Sequence, residues 1–386
     1  MVILAVVATV VLMLATVAGV AYLALASLAV LRFVRTAPLR PSCRPPMSVL
    51  KPLCGEEPGL REALRSFCTL DYPNWQIVFG VQDPRDPAIA VVRWLIAEHP
   101  GADITLVIDE RTRGANRKVA NLLSMLPQAK HDVLVIADGD VSVPPDYLDA
   151  LAAGLEQPDT GVVTCLYTGR PAGGLWARLG AVFIDHGFLP LVLVGRAMGR
   201  RDGCFGATMA LRRAVLDRLG GLERFRDQLA DDYALGAAVR ELGLETVLSP
   251  CLVGTTVSEA SAAELIAHEL RWMRTIRSIE AAGHAGSLVT YPVPVALLAL
   301  AASSVAGWSG LGLAGLGAAL AARMAAGRVF DRALGRPPTP LWLMPCRDLL
   351  SFALVLASFC GTEVSWRGTR YHVDSNGRLH LHGEKA

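Results

Sequence analysis

Apolar and polar positions divide this chain into three stretches. Residues 2–31 carry no charge. From Met47 to about residue 282, short apolar runs alternate with amphipathic ones. From Tyr291 the chain turns apolar again, and its first charge comes at Arg323. The opening run exceeds the ~20 apolar residues that a helix needs to cross a bilayer core, which predicts a transmembrane anchor over residues 1–34. A cleaved signal peptide is the rival reading, but it asks for a basic n-region and a shorter apolar core than this run has.

The middle stretch reads MSVLKPL, LREALRSFCTL, WQIVFGV, AIAVVRWLIAEH, ITLVI, KVANLLSML and DVLVIAD in order. Buried strands alternating with amphipathic helices predict a doubly wound, largely parallel α/β sheet, in a domain spanning residues 47–282. Ligands of such sheets bind beyond the C-terminal ends of the strands. Asp83 and Asp138 each follow a predicted strand, so both point at the expected site. Pro38, Pro41, Pro45 and Pro46 predict a stiff linker between anchor and domain.

A C-terminal membrane region is expected over residues 288–362, followed by a tail over residues 363–386. The run up to Arg323 is too long for one helix and predicts a tight hairpin turning within Gly310 to Gly315. RVFDRALGRPP is a basic loop. Arg347 and Asp348 interrupt the next apolar segment, LWLMPCRDLLSFALVLASFCG. A charge at mid-bilayer costs about 2.5–3.5 kcal/mol on insertion scales, so a re-entrant or interfacial placement stands beside a full span.

Composition adds orientation. Hydrophobic residues make up 52% of the 386, more than a soluble domain usually needs. Net charge is only +2, which makes no case for a nucleic-acid partner. Arg32, Arg35, Arg40 and Arg44 follow the anchor and nothing basic precedes it, so the N-terminus is expected outside and the domain in the cytoplasm. The eight cysteines form no CxxC pair and no zinc-type spacing, as suits scattered reduced thiols in that compartment.

Four polar clusters are candidates for chemistry. In VQDPRDPAI, Asp83 and Asp86 can accept hydrogen bonds from a ribose or a uracil N–H, or simply form an Asp-Pro turn. In IADGDV, Asp138 and Asp140 aim two oxygens at one point, where a hard divalent cation bridging a diphosphate would sit. A phosphatase of the haloacid-dehalogenase type also starts with an apolar strand and Asp-x-Asp. In ADDYALG, Asp231 and Asp232 open an amphipathic helix, where one acid serves as a cap and two crowd like charge, raising one toward general-base duty. In HELRWMRTIR, Arg271 and Trp272 are neighbours, with Arg274 and Arg277 on following turns. Arginine grips diphosphate oxygens and an indole walls a sugar pocket, while a basic amphipathic helix on anionic lipid explains the same pattern.

In this order the clusters resemble the ceramide glucosyltransferase family, a branch of the GT-A glycosyltransferases. The matches are Asp83, Asp138, Asp232 and Arg271-Trp272, supported by GANRKVANL with Lys118, by GCFGATMALRRAVLDRLGG and by SWRGTRY near the C-terminus. His268 departs from the pattern, because the family has Gln or Arg there. Within the family the chain is most similar to bacterial hopanoid-associated glycosyltransferases.

The resemblance implies a GT-A fold and inverting transfer of a sugar from a UDP-sugar to a lipid hydroxyl, with Mg2+ or Mn2+ as cofactor. The expected partners are the UDP-sugar donor, a hopanoid or ceramide acceptor and the bilayer, expected to be a bacterial inner membrane. N-acetylglucosamine transfer to a bacteriohopanoid polyol is expected, with glucose transfer to ceramide as the alternative. The resemblance further assigns uridine to Asp83, the nucleotide to Lys118 and Asp138, metal to Asp138 and Asp140, and general-base duty to Asp232 beside Asp231. His268, Arg271 and Trp272 take the diphosphate and acceptor. The apolar segment GLWARLGAVFIDHGFLPLVLVGRAMGRR, with basic ends, is expected to lie in the membrane plane and admit a lipid. A membrane phosphatase, a processive polysaccharide synthase and a non-catalytic scaffold are the readings from other classes, and each leaves part of the pattern unexplained.

Overall fold

The continuous apolar runs of the middle stretch form the parallel strands they predict. The computed structural model describes residues 2–37, 40–361, 363–366, 369–373 and 377–381. In chain order its elements are α1 (Val2–Val34), β1 (Met47–Pro52), α2 (Leu60–Cys68), β2 (Trp75–Val81), α3 (Ala88–Glu98), β3 (Asp103–Ile108), α4 (Arg117–Met125), β4 (Val133–Ile136), β5 (Val141–Ser142), α5 (Tyr147–Leu155) and β6 (Thr160–Pro171). There follow α6 (Leu175–Phe183), α7 (Leu189–Ala197), β7 (Met209–Arg212), α8 (Arg213–Arg218), α9 (Asp231–Glu241) and β8 (Glu245–Val257). The chain ends in α10 (Ala262–Ile279), α11 (Ala281–Gly286), α12 (Pro292–Val305), α13 (Ser309–Ala333), α14 (Leu343–Ser358), β9 (Glu363–Trp366), β10 (Thr369–Val373) and β11 (Leu379–Leu381).

One compact unit comprises Thr36–Gly173, Gly199–Ser258 and Thr369–Ala386. Its eight-stranded sheet runs β3-β2-β1-β4-β7-β6-β8-β5. The pairs β3–β2, β2–β1, β1–β4 and β6–β8 are parallel, whereas β4–β7, β7–β6 and β8–β5 are antiparallel. The sheet is thus mixed: β3-β2-β1-β4 is wholly parallel, and β6–β8 adds a further parallel pair among antiparallel neighbours. Both faces are covered, which is why those strands read as unbroken apolar runs. Val49, Ile77, Phe79 and Val135 pack into one core with Leu64, Phe67 and Leu95. Their neighbours Leu50, Val78, Leu134 and Ile136 face the other core, with Leu122, Met209 and Leu211. Pro250 interrupts β8: having no N–H to donate, it is skipped in the pairing, which passes from Cys165↔Ser249 to Leu166↔Leu252.

This topology gathers loops at one sheet edge. The parallel strands β1, β2 and β4 all end there. β7 runs against β4 with Ile136 opposite Met209, so the loop before β7 faces the turn after β4. β5 pairs with β8 through Val141↔Thr255, which brings the end of β8 to the same turn.

The second unit comprises Met1–Arg35, Gly174–Met198 and Glu259–Gly368. Residues 174–198 and 259–282, inside the 47–282 segment expected from the sequence, pack with these helices. α1, α12 and α13 pack on one another and leave Val7, Leu14, Leu298 and Leu313 among many exposed apolar side chains. Among the described residues three helices are long and apolar enough to cross a membrane, namely Val2–Val34, Leu175–Ala197 and Ser309–Ala333. Ala281–Thr290 with Pro292–Val305, bent by 73°, makes a fourth if the pair acts as one span.

One expectation about this unit needs correction. The hairpin does not turn within Gly310–Gly315. It turns at residues 306–308, where Gly307 has φ of 79° and Trp308 N–H donates to the Ser303 carbonyl at 2.7 Å. Gly310, Gly312 and Gly315 lie inside α13, and Gly312 serves close helix packing, since a Cβ there would come 2.8 Å from Leu300 Cα. The segment Leu175–Ala197 is mostly buried by its neighbours and bulges into a π-helical turn over Ile184–Phe188. α14 has sixteen residues, about 24 Å of helix, which is short of a bilayer core. Of the expected linker and C-terminal motif, Pro38, Arg367 and Gly368 lie outside the described residues, as do residues 382–386 of the tail.

Candidate functional site

Four charged side chains meet in the sheet unit around Gly206. Lys118 lies one residue inside α4, whose N-terminus is fixed by Asn116, the side chain of which accepts the Val119 N–H at 3.1 Å. Lys118 Nζ lies 2.8 Å from Asp138 Oδ1 and 3.3 Å from Asp231 Oδ2. Asp231 Oδ1 in turn accepts from Asn116 Nδ2 at 3.4 Å. Asp232, next along α9, accepts backbone N–H groups instead, from Gly206 at 2.9 Å and from Tyr233 at 2.8 Å. A Cβ on Gly206 would come 3.0 Å from Lys118 Nζ, 3.2 Å from Asp138 Oδ2 and 3.4 Å from Asp232 Oδ2. Only glycine leaves these groups free to converge.

The electrostatics differ from acid to acid. Burial pushes the Asp232 carboxyl up to about 6, and the charge of Asp231 adds to the rise, opposed by Lys118 and the two N–H bonds. Burial opposes the charge on Lys118, yet Asp138, Asp231 and Asp232 together hold its ammonium above the ordinary lysine range. The Tyr167 phenol on β6 is raised by burial and then by Asp232, Asp138 and Asp140, which marks it as a neighbour of the cluster.

Asp140 sits on the same turn as Asp138. Its Oδ2 accepts the Thr255 hydroxyl, and its carbonyl accepts both Thr256 N–H and Thr256 Oγ1 at 3.2 Å. Burial raises its carboxyl, and Asp138 raises it further. Beneath the turn, fully buried Lys51 donates to the carbonyls of Asp138 at 2.6 Å and Val141 at 3.3 Å, with its ammonium 3.9 Å from the Phe67 ring centroid. Burial pushes this ammonium down to about 7, against the pull of Asp140 and Asp138.

Two hard oxygen donors on one turn, one of them half-buried and raised by its neighbour, fit a divalent cation that would relieve the repulsion. No group of three such side chains that could hold a metal occurs among the described residues. The pair therefore fits Mg2+ or Mn2+ only with substrate and water oxygens completing the shell, the usual habit of these cations with phosphates.

Asp83 has an exposed carboxylate after β2 and bonds within its own turn, accepting Arg85 N–H at 2.8 Å and Arg85 Nε at 3.3 Å. Those two bonds hold its carboxyl below the ordinary range. Asp86 is structural, for it accepts Gly55 N–H at 2.9–3.0 Å and Ala88 N–H at 2.8 Å. In the helical unit, Ser261 caps α10 and accepts Glu264 N–H at 3.2 Å. His268, Arg271 and Trp272 follow on this helix, half-buried. His268 Nδ1 lies 2.5 Å from Glu259 Oε1, and its ring centroid lies 4.5 Å from that of Trp272. Arg274 and Arg277, read from the sequence as diphosphate or lipid groups, donate to the carbonyls of Cys360 and Gly361, each at 3.0 Å.

Lys51, Thr255, Tyr167 and Glu259 escaped the sequence reading, and Gly206 entered it only as part of GCFGATMALRRAVLDRLGG. Only Lys51 had a usable signal, a lysine inside the apolar run MSVLKPL. Thr255 reaches Asp140 across 115 residues, whereas Glu259 meets His268 only nine residues on, and neither stands out in its local sequence.

The family model for glycosyl transferase family 21 matches residues 10–379. The chain is 29% identical to ceramide glucosyltransferase 1 of Caenorhabditis elegans over 206 residues, which is 53% of this chain and 44% of that protein. It is 25% identical to an N-acetylglucosaminyltransferase of Rhizobium meliloti over 257 residues, 63% of this chain and 57% of that one. The chain thus spans about half the length of the curated relatives it matches. A mannosyltransferase of Pyrobaculum calidifontis, solved in complex with GDP-mannose and Mn2+, shares its fold with a TM-score of 0.58 at 21% identity, covering 92% of this chain and 99% of that one. The expected GT-A type of fold is thereby established.

Proposed function

The chain belongs to glycosyl transferase family 21, and from that premise we propose that it transfers a sugar, with inversion, from a UDP-sugar to the hydroxyl of a membrane lipid. The convergence of Lys118, Asp138, Asp231 and Asp232 on Gly206 is the observation that carries this reading. Asp232 is the general base: it is half-buried, it is bonded only to N–H groups, and its carboxyl is raised toward neutrality. It takes the proton of the lipid hydroxyl as the oxygen attacks the anomeric carbon, and UDP leaves on the opposite face. Lys118 and Asp138 bind the nucleotide, and Asp83 the uridine. Asp138 and Asp140 would hold the Mg2+ or Mn2+, which would neutralise the diphosphate as it leaves. For His268, Arg271 and Trp272 the roles at the diphosphate and acceptor rest on the resemblance alone.

The transfer we favour is N-acetylglucosamine to a bacteriohopanoid polyol, and the likeness to a rhizobial N-acetylglucosaminyltransferase supports the donor. The likeness to ceramide glucosyltransferases favours a second reading, glucose to ceramide. The arginines after α1 support a catalytic unit on the cytoplasmic face of a bacterial inner membrane. Incubating the protein with a panel of UDP-sugars and membrane lipids, with mass spectrometry of the products, tests both. A hopanoid heavier by one N-acetylhexosamine supports the first reading, a hexose on ceramide replaces it with the second, and no glycolipid from any pair refutes both.

Gly206→Ala gives a local test. The new methyl displaces the flexible end of Lys118 more readily than backbone, so stability should change by less than about 1 kcal/mol. Misplacing three site groups by a few tenths of an ångström should lower kcat/KM at least about tenfold. Wild-type turnover with an unchanged melting temperature would remove this cluster from the reacting centre.

A further inference from the structure

Lys51 is a fully buried amine that the proposed chemistry does not touch. It lies in β1 on the strand face of Met47 and Val49, which turn to the core around Leu64 and Phe67. A lysine on such a face is unfavourable, because the amine gives up its hydration among apolar side chains. A methionine of similar length would fill the same space without that loss. Stability alone therefore does not call for a lysine here.

Its contacts suggest what does. Lys51 Nζ donates to the Asp138 carbonyl at 2.6 Å and to the Val141 carbonyl at 3.3 Å, and the Phe67 ring closes the remaining side. These carbonyls bracket the turn between β4 and β5, which Val141 N–H closes by donating to the Asp138 carbonyl at 3.2 Å. Gly139, inside the turn, lies so close to the chain after β1 that a Cβ would come 3.1 Å from Leu53 Cδ2 and 3.2 Å from the Pro52 carbonyl. The backbone of the turn is thus held from beneath by residues 51–53. Its side chains are held by other groups, Asp138 by Lys118 at 2.8 Å and Asp140 by the Thr255 hydroxyl. Two N–H groups serve the two carbonyls whether the amine is charged or neutral, so the fastening does not depend on its titration.

A cation site with only two protein carboxylates depends on keeping them together, and their like charges push them apart. We propose that Lys51 is a positioning residue for the divalent cation, fastening the turn at both carbonyls so that Asp138 and Asp140 stay side by side for Mg2+ or Mn2+. The inference rests on the proposed cation role of those two acids and needs nothing from the identity of sugar or acceptor. Groups that orient metal ligands from behind typically change metal affinity by about 10–100-fold when removed.

The test titrates Mn2+ into the full-length protein in detergent with UDP present, reading unbound Mn2+ by electron paramagnetic resonance. Lys51→Met should weaken Mn2+ binding by about 10–100-fold, with metal-free UDP binding unchanged and the melting temperature equal or higher. Lys51→Gln, too short to span both carbonyls, should lose Mn2+ affinity in the same selective way, and it decides the matter if Lys51→Met does not fold. A lysine that only supports packing behaves differently: its loss lowers the melting temperature and weakens UDP and Mn2+ binding together. That joint fall in Lys51→Gln, Mn2+ affinity within about twofold of wild type in either folded variant, or a wild type that binds no Mn2+ with UDP would overturn the proposal. The two readings fail separately. If the wild type glycosylates lipid in excess EDTA and binds no Mn2+, the role of Lys51 is refuted and the transferase reading stands. If Mn2+ affinity falls selectively in the variants while no lipid ever accepts sugar, the role of Lys51 stands and the transferase reading falls.

Discussion

Replacing Asp232 by Asn is expected to lower sugar transfer about 100- to 10,000-fold while leaving UDP binding nearly intact, which isothermal titration beside a turnover assay would show. An amide preserves the size of the side chain and keeps an oxygen for one of the two N–H groups, which donate to different oxygens of Asp232, but it has no useful basicity. The wild-type pH profile should carry the same signature. Asp232 works as a base only when ionised, and its carboxyl is raised to about 6. Competence is therefore complete well above pH 6 and falls as pH drops through that value, to about a tenth at pH 5. In Asp232→Asn the residual rate should lose this acid limb. Undiminished turnover would end the assignment.

Asp231 separates base from scaffold. It is tied to Lys118 and Asn116, and its charge adds to the rise that burial causes in Asp232. Asp231→Asn should consequently move the acid limb of the profile to lower pH, with far more activity left than in Asp232→Asn. The two adjacent acids are alike in sequence, and the fold gives them different partners because successive side chains in the first turn of α9 point in different directions. One faces the N-terminus of α4, the other the loop before β7.

That division shows where sequence reading stops. β1, β2 and β4 were legible because a parallel strand covered on both faces must be apolar throughout. The acids that follow them were legible because polar groups at strand ends are unusual enough to notice. β6, β7 and β8 were not anticipated: β7 has four residues, and β8 carries Pro250, which argues against a strand until the pairing is seen to skip it. The family pattern supplied the acids in order but not the groups that orient them. Lys51 fastens the Asp138–Asp140 turn through two carbonyls, Thr255 holds Asp140, and Glu259 holds His268. The first two depend on register between distant segments and the third on how the chain enters α10, none of which a local pattern encodes. The hairpin turn was misplaced for a related reason. Glycines signal turns in water, whereas in a helix facing other helices among lipids they signal close approach.

Arg347 and Asp348, which made the last apolar segment ambiguous, lead to the second large effect: Glu269→Ala should destabilise the protein by about 3–5 kcal/mol. The two oxygens of Glu269 receive Arg347 Nη1 at 2.8 Å and Nη2 at 2.6 Å, and each side chain is 2% exposed. Ser351 Oγ accepts from Nε at 3.0 Å and Nη2 at 2.8 Å, so the guanidinium is almost fully engaged. Removing the carboxylate strands a buried cation among apolar helices, and the cost of that desolvated charge exceeds what the pair contributed to stability. Replacing both partners tests the difference. Glu269→Leu with Arg347→Met leaves no charge behind, fills comparable volume, and should cost far less than either single change, since buried pairs and apolar isosteres of similar size lie close in free energy. Thermal unfolding of the detergent-solubilised protein followed by tryptophan fluorescence would rank the three variants. A double variant as unstable as Glu269→Ala would mean that α10 and α14 need the ion pair itself, and not merely the absence of an unpaired charge.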